Sequence, residues 1–307
     1  IMKIGNLDIT NPKIGTTPIN KVFIGVNQVW PNLLMDEVTG STGGYSLRRL
    51  TNLYSGSAIQ VRRSSDNTTQ DIGFVNNELD TASLLAFCSG INNGQISIWY
   101  DQSGNGNNLI QPTYVNQFLI VSLGSLISVN GKPALYGVED FLQNSTKTAS
   151  STSTVFTVHK GDSNTTNTNL VGFPASTDRQ IGLYYWGSGS KPFGFNTWAG
   201  DSWGYNNSTS DFDSQSLWTA LFKEGNITTS GVKIYRNGTQ KTLSQVKNSS
   251  TATRIIDDGF NVGIGGSQSG QQESNGYYQE VVIYDADYST TNRNAIEDNI
   301  NNFYSIY

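Results

Sequence analysis

The residues of this chain with reactive side chains are one histidine, one cysteine and scattered carboxylates. His159 lies in the strand-like segment VFTVHKG, and a lone histidine argues against a histidine-based triad or a multi-histidine metal site. Cys88 ends the apolar run LLAFC, which predicts a buried structural thiol rather than a nucleophile. A single cysteine also leaves no partner for an intrachain disulfide.

The carboxylate with the most distinctive surroundings is Asp101, in the segment WYDQSGNGNNL. An aromatic strand runs into Asp101 and then breaks into a loop of Gly, Asn and Ser. Asp101 and Asn105 could hold Ca²⁺ through oxygen ligands, but an Asp that caps backbone amides is the favoured interpretation. The same choice arises for Asp66 and Asp71 in SSDNTTQD, where a solvated loop is the default. We therefore expect no cofactor, with Ca²⁺ as the one metal considered.

A cluster of aromatic residues between positions 184 and 205 is the candidate glycan-binding site. Sugar rings stack on aromatic faces, and carboxylate and amide groups bind sugar hydroxyls. The alternative is that these rings fill the core or a subunit interface, where Trp and Tyr are also enriched. Both interpretations stay open for the cluster, whose members are Tyr184, Tyr185, Trp186, Trp198, Asp201, Trp203 and Tyr205.

The composition limits the partners of the chain. Its 307 residues carry a net charge of −5, and only 14% are charged. Arginine occurs in isolated pairs rather than in a basic patch, so we expect no nucleic-acid partner. No apolar run is long enough for membrane insertion, and the N-terminal residues lack the features of a signal peptide.

The elements that must position these residues are short strands joined by turns. The pair Asn237-Gly238 fits a type I′ hairpin turn, and Asp80 is placed to cap a helix over LLAFC. The strand QISIWYDQ should place Ile96, Ile98 and Tyr100 on one face. The pattern predicts an all-β jelly-roll sandwich over residues 45–307. It also predicts a C-terminal helix with one apolar face, made of Ile296, Ile300, Phe303 and Tyr304.

A ten-residue repeat, I-G-x-x-x-[I/V], marks residues 1–31 as a separate β-rich module. Each copy is interpreted as one short strand, and three such strands bury too little apolar surface to be stable alone. We therefore expect an anchoring module that another chain completes, hence a homo-oligomer, with a trimer favoured. Residues 32–44 are interpreted as a linker. The anchoring residues are Ile4, Ile9, Ile14, Ile19, Ile24, Val29 and Trp30.

Residues 45–307 resemble the catalytic domain of α-L-arabinofuranosidase B. The likeness is carried, in order, by YSLRRL, VRRSSDNTTQDIGF, ELDTASLLAFC, WYDQSGNGNNL, GKPAL and VGIGGSQSGQQESNGYYQEVVIYDADYS. This resemblance implies a concanavalin-A-like sandwich, and the closing strand and helix are similar to those of laminin-G-like domains. It also implies that the loop after Tyr100 is a structural turn at the rim.

The same resemblance places the acid/base aspartate directly after the GIGG string, where this chain has Ser267. Serine has no acid form that protonates a glycosidic oxygen at neutral pH. The segment GFNTWAGDSWGY, which should hold the nucleophilic Glu, contains only Asp201, and the family's adjacent cysteines are missing. Glu273 and Glu280 are possible substitutes, although their spacing does not require it. The expectation is a chain without hydrolytic activity.

Residues 2–31, including INKVFIGVNQVWP, are similar to the N-terminal modules of bacteriophage virion proteins. The leading hypothesis is therefore a non-enzymatic virion protein: a head fibre, tail fibre or capsid decoration subunit, made in the host cytoplasm. It would bind other virion proteins through its N-terminal module and host surface glycan through its lectin-like sandwich. The alternatives are a glycoside hydrolase of α-L-arabinofuranosidase type acting on surface polysaccharide, and a carbohydrate-binding module without a virion role.

Overall fold

A computed structural model gives the fold of the chain. No helix among the described residues is both long and apolar enough to cross a membrane. The described residues are 32–162, 168–172, 181–185, 192–197, 202–206, 209–227, 229–247, 255–256, 260–265, 274–288 and 290–307, together with the short strands between residues 2 and 30.

Most of the regular structure consists of strands, as the turn-rich sequence predicts. The strands before residue 150 are β1 (Met2–Ile4), β2 (Leu7–Ile9), β3 (Lys13–Ile14), β4 (Thr17–Pro18), β5 (Val22–Ile24), β6 (Asn27–Trp30), β7 (Ser41–Ser46), β8 (Ile59–Arg63), β9 (Thr69–Ile72), β10 (Phe74–Val75), β11 (Glu78–Leu79), β12 (Gly94–Trp99), β13 (Leu109–Ile110), β14 (Leu119–Ser122), β15 (Ser125–Leu126), β16 (Ser128–Val129), β17 (Lys132–Pro133) and β18 (Leu135–Ala149). Those that follow are β19 (Ser153–Gly161), β20 (Thr168–Gly172), β21 (Ile181–Tyr185), β22 (Pro192–Thr197), β23 (Ser202–Asn206), β24 (Ser216–Phe222), β25 (Gly225–Asn226), β26 (Lys233–Arg236), β27 (Thr239–Gln240), β28 (Ser244–Lys247), β29 (Ile255–Ile256), β30 (Phe260–Gly265) and β31 (Ser274–Tyr284).

Two sheets form the predicted β-sandwich. In the part of the chain that the structure describes, the main sheet has 14 strands and the small sheet has five, in the order β20-β21-β22-β23-β28. The centre of the main sheet is β31, which pairs antiparallel with β18, β19 and β7. One apolar core fills the space between the sheets, with Trp99, Trp218 and Tyr278 from the main sheet and Leu183 and Phe193 from the small sheet fully buried.

A second apolar layer covers the outer face of the main sheet, where helix α4 (Thr291–Tyr304) packs. Ile296, Ile300 and Tyr304 of α4 are buried against Phe156 and Val282. This confirms the predicted C-terminal helix, although Phe303 is only partly buried.

The segment 32–44, which we interpreted as a linker, contains a short helix and the start of a strand. Residues Leu34–Glu37 form helix α1, and Leu34 and Met35 are buried in the layer beneath α4. Strand β7 begins at Ser41 and pairs with β31. Burial of the apolar run LLM, residues 33–35, favours packing of this segment against the main sheet.

Local signals place the remaining helices and one hairpin. Helix α2 spans Thr81–Cys88, and the Ser83 amide donates to the Asp80 carboxylate at 3.0 Å, as predicted for its cap. Cys88 is fully buried, which confirms a structural thiol. Asn237 and Gly238 both have positive φ, as a type I′ turn requires. The other short helices are α3 (Thr209–Phe212) and a 3₁₀ turn over Tyr114–Asn116.

Each copy of the N-terminal repeat forms a hairpin rather than the single strand that we expected. The strands β1 and β2, β3 and β4, and β5 and β6 pair with each other antiparallel. In each pair the Ile-Gly step lies where the first strand ends, so Ile4 pairs with Leu7 and Ile14 with Thr17. Ile9, Ile24, Val29 and Trp30 lie in these strands. Ile19 falls outside the described residues.

Strand β12 departs from strict alternation. Ile96 and Trp99 are fully buried, whereas Ile98 and Tyr100 are only half-buried. The pairing of β12 with β8 shifts register between Ile96 and Ile98, which marks a bulge. Because a bulge adds one residue, it moves the following side chains to the opposite face, and the prediction that Ile96, Ile98 and Tyr100 share one face is wrong.

The lone histidine is part of the core. His159 is 1% exposed, and its ring contacts those of Phe212 and Tyr278, with centroids 5.0 and 4.6 Å away. Neither ring nitrogen has a hydrogen-bond partner among the described residues. Burial lowers the pKa of His159 to about 3. The side chain is therefore neutral at physiological pH.

Substituting His159→Phe is expected to reduce the loss of stability in acid. The folded-state pKa lies below the ordinary value of 6.5, so the unfolded chain takes up the proton first as the pH falls. The contribution of His159 to wild-type stability should be constant above about pH 7 and fall between about pH 6.5 and 3, by about 2–3 kcal/mol at pH 4.5. Urea unfolding of both proteins at pH 7 and 4.5 measures this, and an equal fall in both would contradict it.

Candidate functional site

The loop after strand β12 is held together by Asp101. This side chain is 3% exposed and accepts hydrogen bonds from the backbone amides of Gly44, Ser103 and Asn107 at 2.9, 2.9 and 3.0 Å. The Ser103 hydroxyl donates a fourth at 2.7 Å. These donors use both carboxylate oxygens, so Asp101 is a structural cap and not a reactive group.

Gln102 fastens the same loop to the start of the sandwich domain. Its backbone amide donates to the Gly44 carbonyl at 2.7 Å, and its side-chain oxygen accepts from the Leu50 amide at 2.8 Å. Its side-chain nitrogen donates to the carbonyls of Ser46 and Arg48, both at 3.0 Å. Asp101 and Gln102 together tie the segment 44–50 to the rim of the sandwich.

The oxygen ligands considered for Ca²⁺ do not fit that ion. Asp101 faces hydrogen-bond donors on both oxygens, and Asn105 directs its side-chain nitrogen to the Ser103 hydroxyl at 3.0 Å. Asp66 is paired with Arg63 at 2.6 Å, and Asp71 accepts from the Tyr100 hydroxyl at 2.9 Å. Among the described residues, no group of three or more His, Cys, Asp or Glu side chains is placed to hold a metal ion.

The region that the GIGG string marks lies where three strands converge. Strand β30 ends at Gly265, opposite Phe141 of β18, and β31 begins at Ser274, opposite Asp140. Gly265 has a φ of +86°, and a side chain there would lie 2.1 Å from the Asp140 carbonyl oxygen. Only glycine fits this close approach, which brings the end of β30 against β18.

Three carboxylates lie at this convergence, which we call the acidic edge: Glu139, Asp140 and Asp162. Glu139 is exposed and has a φ of 61°, an uncommon backbone conformation for this residue type. Its amide donates to the Asn275 side chain at 3.2 Å, while the Asp162 amide donates to the Asn275 carbonyl at 3.4 Å. Asn275 thus connects both sides of the edge. Asp140 accepts from the Val138 amide at 3.0 Å.

The Asp162 side chain is hydrogen-bonded to a tyrosine. The Tyr136 hydroxyl donates to the Asp162 carboxylate at 2.8 Å. Burial, this hydrogen bond and the negative charge of Asp162 raise the pKa of Tyr136 to about 12. The Tyr136 hydroxyl therefore stays protonated at neutral pH and fixes the position of the Asp162 carboxylate.

The acidic edge was missed in the sequence, where none of its carboxylates was singled out. A signal was present in GVEDFLQ, because adjacent Glu and Asp are uncommon inside an apolar strand pattern. The pairing of Asp162 with Tyr136 carries no sequence signal.

The aromatic cluster proposed to bind glycan lies largely inside the protein. Tyr184 and Tyr185 are each 1% exposed, and Tyr185 stacks on Phe212 with ring centroids 3.8 Å apart. Trp203 and Tyr205 are partly buried and pack against the core. The described members of the cluster therefore lie in or against the core, as the alternative interpretation expects. Trp186, Trp198 and Asp201 lie outside the described residues.

Glu280 has a structural role. It is fully buried and accepts two hydrogen bonds from the Arg48 guanidinium, at 2.8 and 2.9 Å. The hydroxyls of Ser46 and Tyr304 also donate to it, at 2.7 and 3.2 Å. This network joins β7, β31 and α4. Glu273, the other possible substitute, and Ser267, at the position that the resemblance assigns to the acid, lie outside the described residues.

A cleft of about 500 Å³ lies away from the acidic edge, between α2, the β16–β17 hairpin and the end of α4. Its two carboxylates are both engaged. Glu78 pairs with Lys132 at 3.0 Å, and Asp80 caps α2. The cleft therefore has no carboxylate arranged for glycosidic chemistry.

Comparison with known proteins identifies relatives of part of the chain. Residues 37–118 match the family model described as "Alpha-L-arabinofuranosidase B, catalytic". The α-L-arabinofuranosidase B of Emericella nidulans is 38% identical over 104 residues, and a probable one from Aspergillus flavus is 36% identical over 104 residues. Each alignment covers 30% of this chain and 20% of the relative. The chain therefore spans about a fifth of the length of these curated relatives.

Solved structures extend the likeness to most of the chain. An arabinofuranosidase complexed with arabinofuranosyl-α-1,2-xylobiose superposes with a TM-score of 0.63 and 19% identity, covering 87% of this chain and 64% of the other. A GH54 α-L-arabinofuranosidase soaked with a cyclic sulfate inhibitor gives a TM-score of 0.61 and 17% identity over the same shares. At these identities the match establishes a shared β-sandwich fold, as predicted.

These findings contradict the prediction of a non-enzymatic virion protein and of its location in a virion. The matched sequences and structures are arabinofuranosidases and not fibre or decoration subunits. The phage-like character of residues 2–31 is not shown either. The prediction was wrong because it gave more weight to two unmatched catalytic positions than to the motifs of residues 45–118. The findings favour the alternative, a glycoside hydrolase.

Proposed function

We propose that this chain is a glycoside hydrolase of α-L-arabinofuranosidase type, acting on arabinofuranosyl side chains of a polysaccharide. The observation that carries the proposal is the family match over residues 37–118. That segment contains the Asp101 loop, which fastens the start of the domain to the sandwich. The sandwich that continues from it has the fold of solved arabinofuranosidases.

The acidic edge is the proposed location of the reaction. A retaining glycosidase needs a carboxylate nucleophile and a carboxylic acid about 5 Å apart. Asp162, whose carboxylate accepts a hydrogen bond from the Tyr136 hydroxyl, is the candidate nucleophile. Glu139, Asp140 and, from the sequence, Asp201 are the other candidates. The position that the resemblance assigns to the acid is Ser267, two residues after β30 ends at this edge.

This arrangement predicts a preference for substrates with good leaving groups. Without a carboxylic acid at position 267, the departing oxygen receives no proton from that position. A 4-nitrophenoxide leaves without protonation, whereas a sugar alkoxide does not. The chain should therefore hydrolyse 4-nitrophenyl α-L-arabinofuranoside far faster than an arabinofuranosyl oligosaccharide.

The test is the release of 4-nitrophenol by the purified chain and by four variants: Glu139→Gln, Asp140→Asn, Asp162→Asn and Asp201→Asn. We expect the wild type to be active, and amide substitution of the nucleophile to lower kcat/KM at least about a hundredfold. Asp66→Asn is the matched control, since Asp66 lies on the distant β8–β9 hairpin and pairs with Arg63. A folded wild type without arabinofuranosidase activity would refute the proposal.

A further inference from the structure

A row of half-buried side chains crosses five strands on the outer face of the main sheet. The strand register aligns Gln95 of β12 with Leu119 of β14, and Leu119 with Tyr136 of β18. It continues from Tyr136 to Tyr277 of β31, and from Tyr277 to Lys160 of β19. We call these five residues the tyrosine row. Their chain neighbours on the opposite face are buried in the core: Ile96, Phe118, Leu135, Tyr278 and His159.

The two half-buried tyrosines at the centre have their rings in contact. The ring centroids of Tyr136 and Tyr277 are 4.7 Å apart, with the rings tilted by 38°. The Lys160 ammonium lies 5.0 Å from the centre of the Tyr277 ring. The Asp162 carboxylate, bonded to the Tyr136 hydroxyl, borders the same surface. The tyrosine pair is thus flanked by one donor and one acceptor with opposite charges.

A third tyrosine extends the row at its other end. Tyr114 is 60% exposed, and its ring stacks on Arg62, whose guanidinium carbon is 5.3 Å from the ring centre. The Gln95 side chain donates to the Tyr114 carbonyl at 3.0 Å, which fixes the turn beside the row. Arg62 is held in turn by Gln117 at 2.9 Å. Tyr114 is therefore presented on a rigid support.

The length of the row matches an extended chain of sugars. Adjacent strands are about 4.8 Å apart, so five strands span about 19 Å, enough for several sugar units. Sugar rings combine apolar C–H faces with hydroxyl edges, and tyrosine offers the complementary apolar face with a polar tip. A carboxylate and an ammonium at the border suit the hydroxyls.

We propose that the tyrosine row, extended by Tyr114, binds the main chain of a polysaccharide. Asp162 and Asn275 connect the row to the acidic edge, so a bound polysaccharide would present its side chains there. The choice of an arabinose-bearing polysaccharide rests on the proposed function. The contact between ring faces and sugars does not depend on hydrolysis.

Affinity electrophoresis of the full chain in soluble arabinoxylan tests this binding. Tyr277→Ala and Tyr114→Ala should each raise the Kd for arabinoxylan, as measured from the retardation, about tenfold. Tyr307→Ala is the matched control, because Tyr307 is 52% exposed at the end of α4, away from the row. Thermal unfolding verifies that each variant is folded. Wild-type retardation in both folded row variants would overturn the proposal.

The experiments distinguish a tyrosine row that does not bind polysaccharide from a chain that has no arabinofuranosidase activity. A wild type that is retarded by arabinoxylan but releases no 4-nitrophenol from 4-nitrophenyl α-L-arabinofuranoside keeps the binding surface and refutes the hydrolase. A wild type that hydrolyses 4-nitrophenyl α-L-arabinofuranoside but is not retarded overturns the row. The alternative occupant of the tyrosine row is a second copy of this chain, which sedimentation at several protein concentrations tests. Self-association that Tyr277→Ala abolishes would overturn the proposal, because the row would then be a contact between copies.

Discussion

Replacing Ser267 with aspartate is expected to raise the hydrolysis of an arabinofuranosyl oligosaccharide by about 10²–10⁴-fold, the usual contribution of a positioned general acid. The resemblance assigns the acid to this position, directly after the GIGG string. An aspartate there would supply the proton that a departing sugar oxygen needs. Release of arabinose, measured as kcat/KM against pH, should show the gain and a new alkaline limb, where the introduced carboxyl loses its proton.

Comparison of two substrates separates proton donation by the introduced aspartate from a general rise in activity. Hydrolysis of 4-nitrophenyl α-L-arabinofuranoside should change little in Ser267→Asp, because its leaving group departs without a proton. Ser267→Asn is the matched control, similar in size to aspartate but without an acid. Equal gains for aspartate and asparagine would contradict the role of a proton donor. So would a wild type that already hydrolyses both substrates equally well, since another carboxyl would then supply the acid.

Glu280→Gln should lower the free energy of unfolding by about 3–5 kcal/mol, because it leaves Arg48 charged and buried without its carboxylate. The pair is bidentate, and the side chains of Arg48 and Glu280 are 7% and 0% exposed. The substitution also replaces a carboxylate that accepts from the hydroxyls of Ser46 and Tyr304. Urea unfolding at pH 7 measures the change.

The exposed ion pair between Lys223 and Asp287 is the control for that measurement. Its side chains are 42% and 34% exposed, and Lys223→Met should cost less than about 1 kcal/mol. The double variant Arg48→Met with Glu280→Leu should recover most of the lost stability, since it removes both charges. A cost for Glu280→Gln no larger than that for Lys223→Met would contradict a stabilising role for the buried pair.

Features encoded by neighbouring residues were predictable from the sequence. The Asp80 cap, the Asn237-Gly238 turn, the apolar face of α4 and the buried thiol of Cys88 each depend on a few adjacent positions. The turn-rich alternation of short strands likewise indicated the β-sandwich. The cap interpretation of Asp101 follows from the same chemistry, because an Asp before a Gly-rich loop meets nearby amides.

Features decided by distant contacts were not predictable in this way. Arg48 and Glu280 are separated by 232 positions, and neither segment shows that the other will cover it. Tyr184 and Tyr185 lie in a segment rich in Gly and Ser, which obscures that both sides of strand β21 are buried. The bulge in β12 moved Ile98 and Tyr100 to the face that alternation does not predict. The acidic edge exists only because β18, β30 and β31 meet.

The pairing of β7 with β31 has a consequence for biosynthesis. The Thr42 hydroxyl donates to the Ile283 carbonyl across this pairing, over 241 positions of sequence. The ribosome therefore completes nearly the whole sandwich before β7 pairs with β31. Until then the apolar faces of β19 and β7 stay uncovered in the nascent chain, and non-local pairing of this kind is slow. The same closure brings α1 beside α4, with the Asn299 side chain donating to the Asn32 carbonyl at 3.0 Å. A circular permutation could link the segment after α4 to the segment before α1 and open the chain at a turn such as Asn237-Gly238. In the permuted protein the ribosome would make β31 and β7 close together in time.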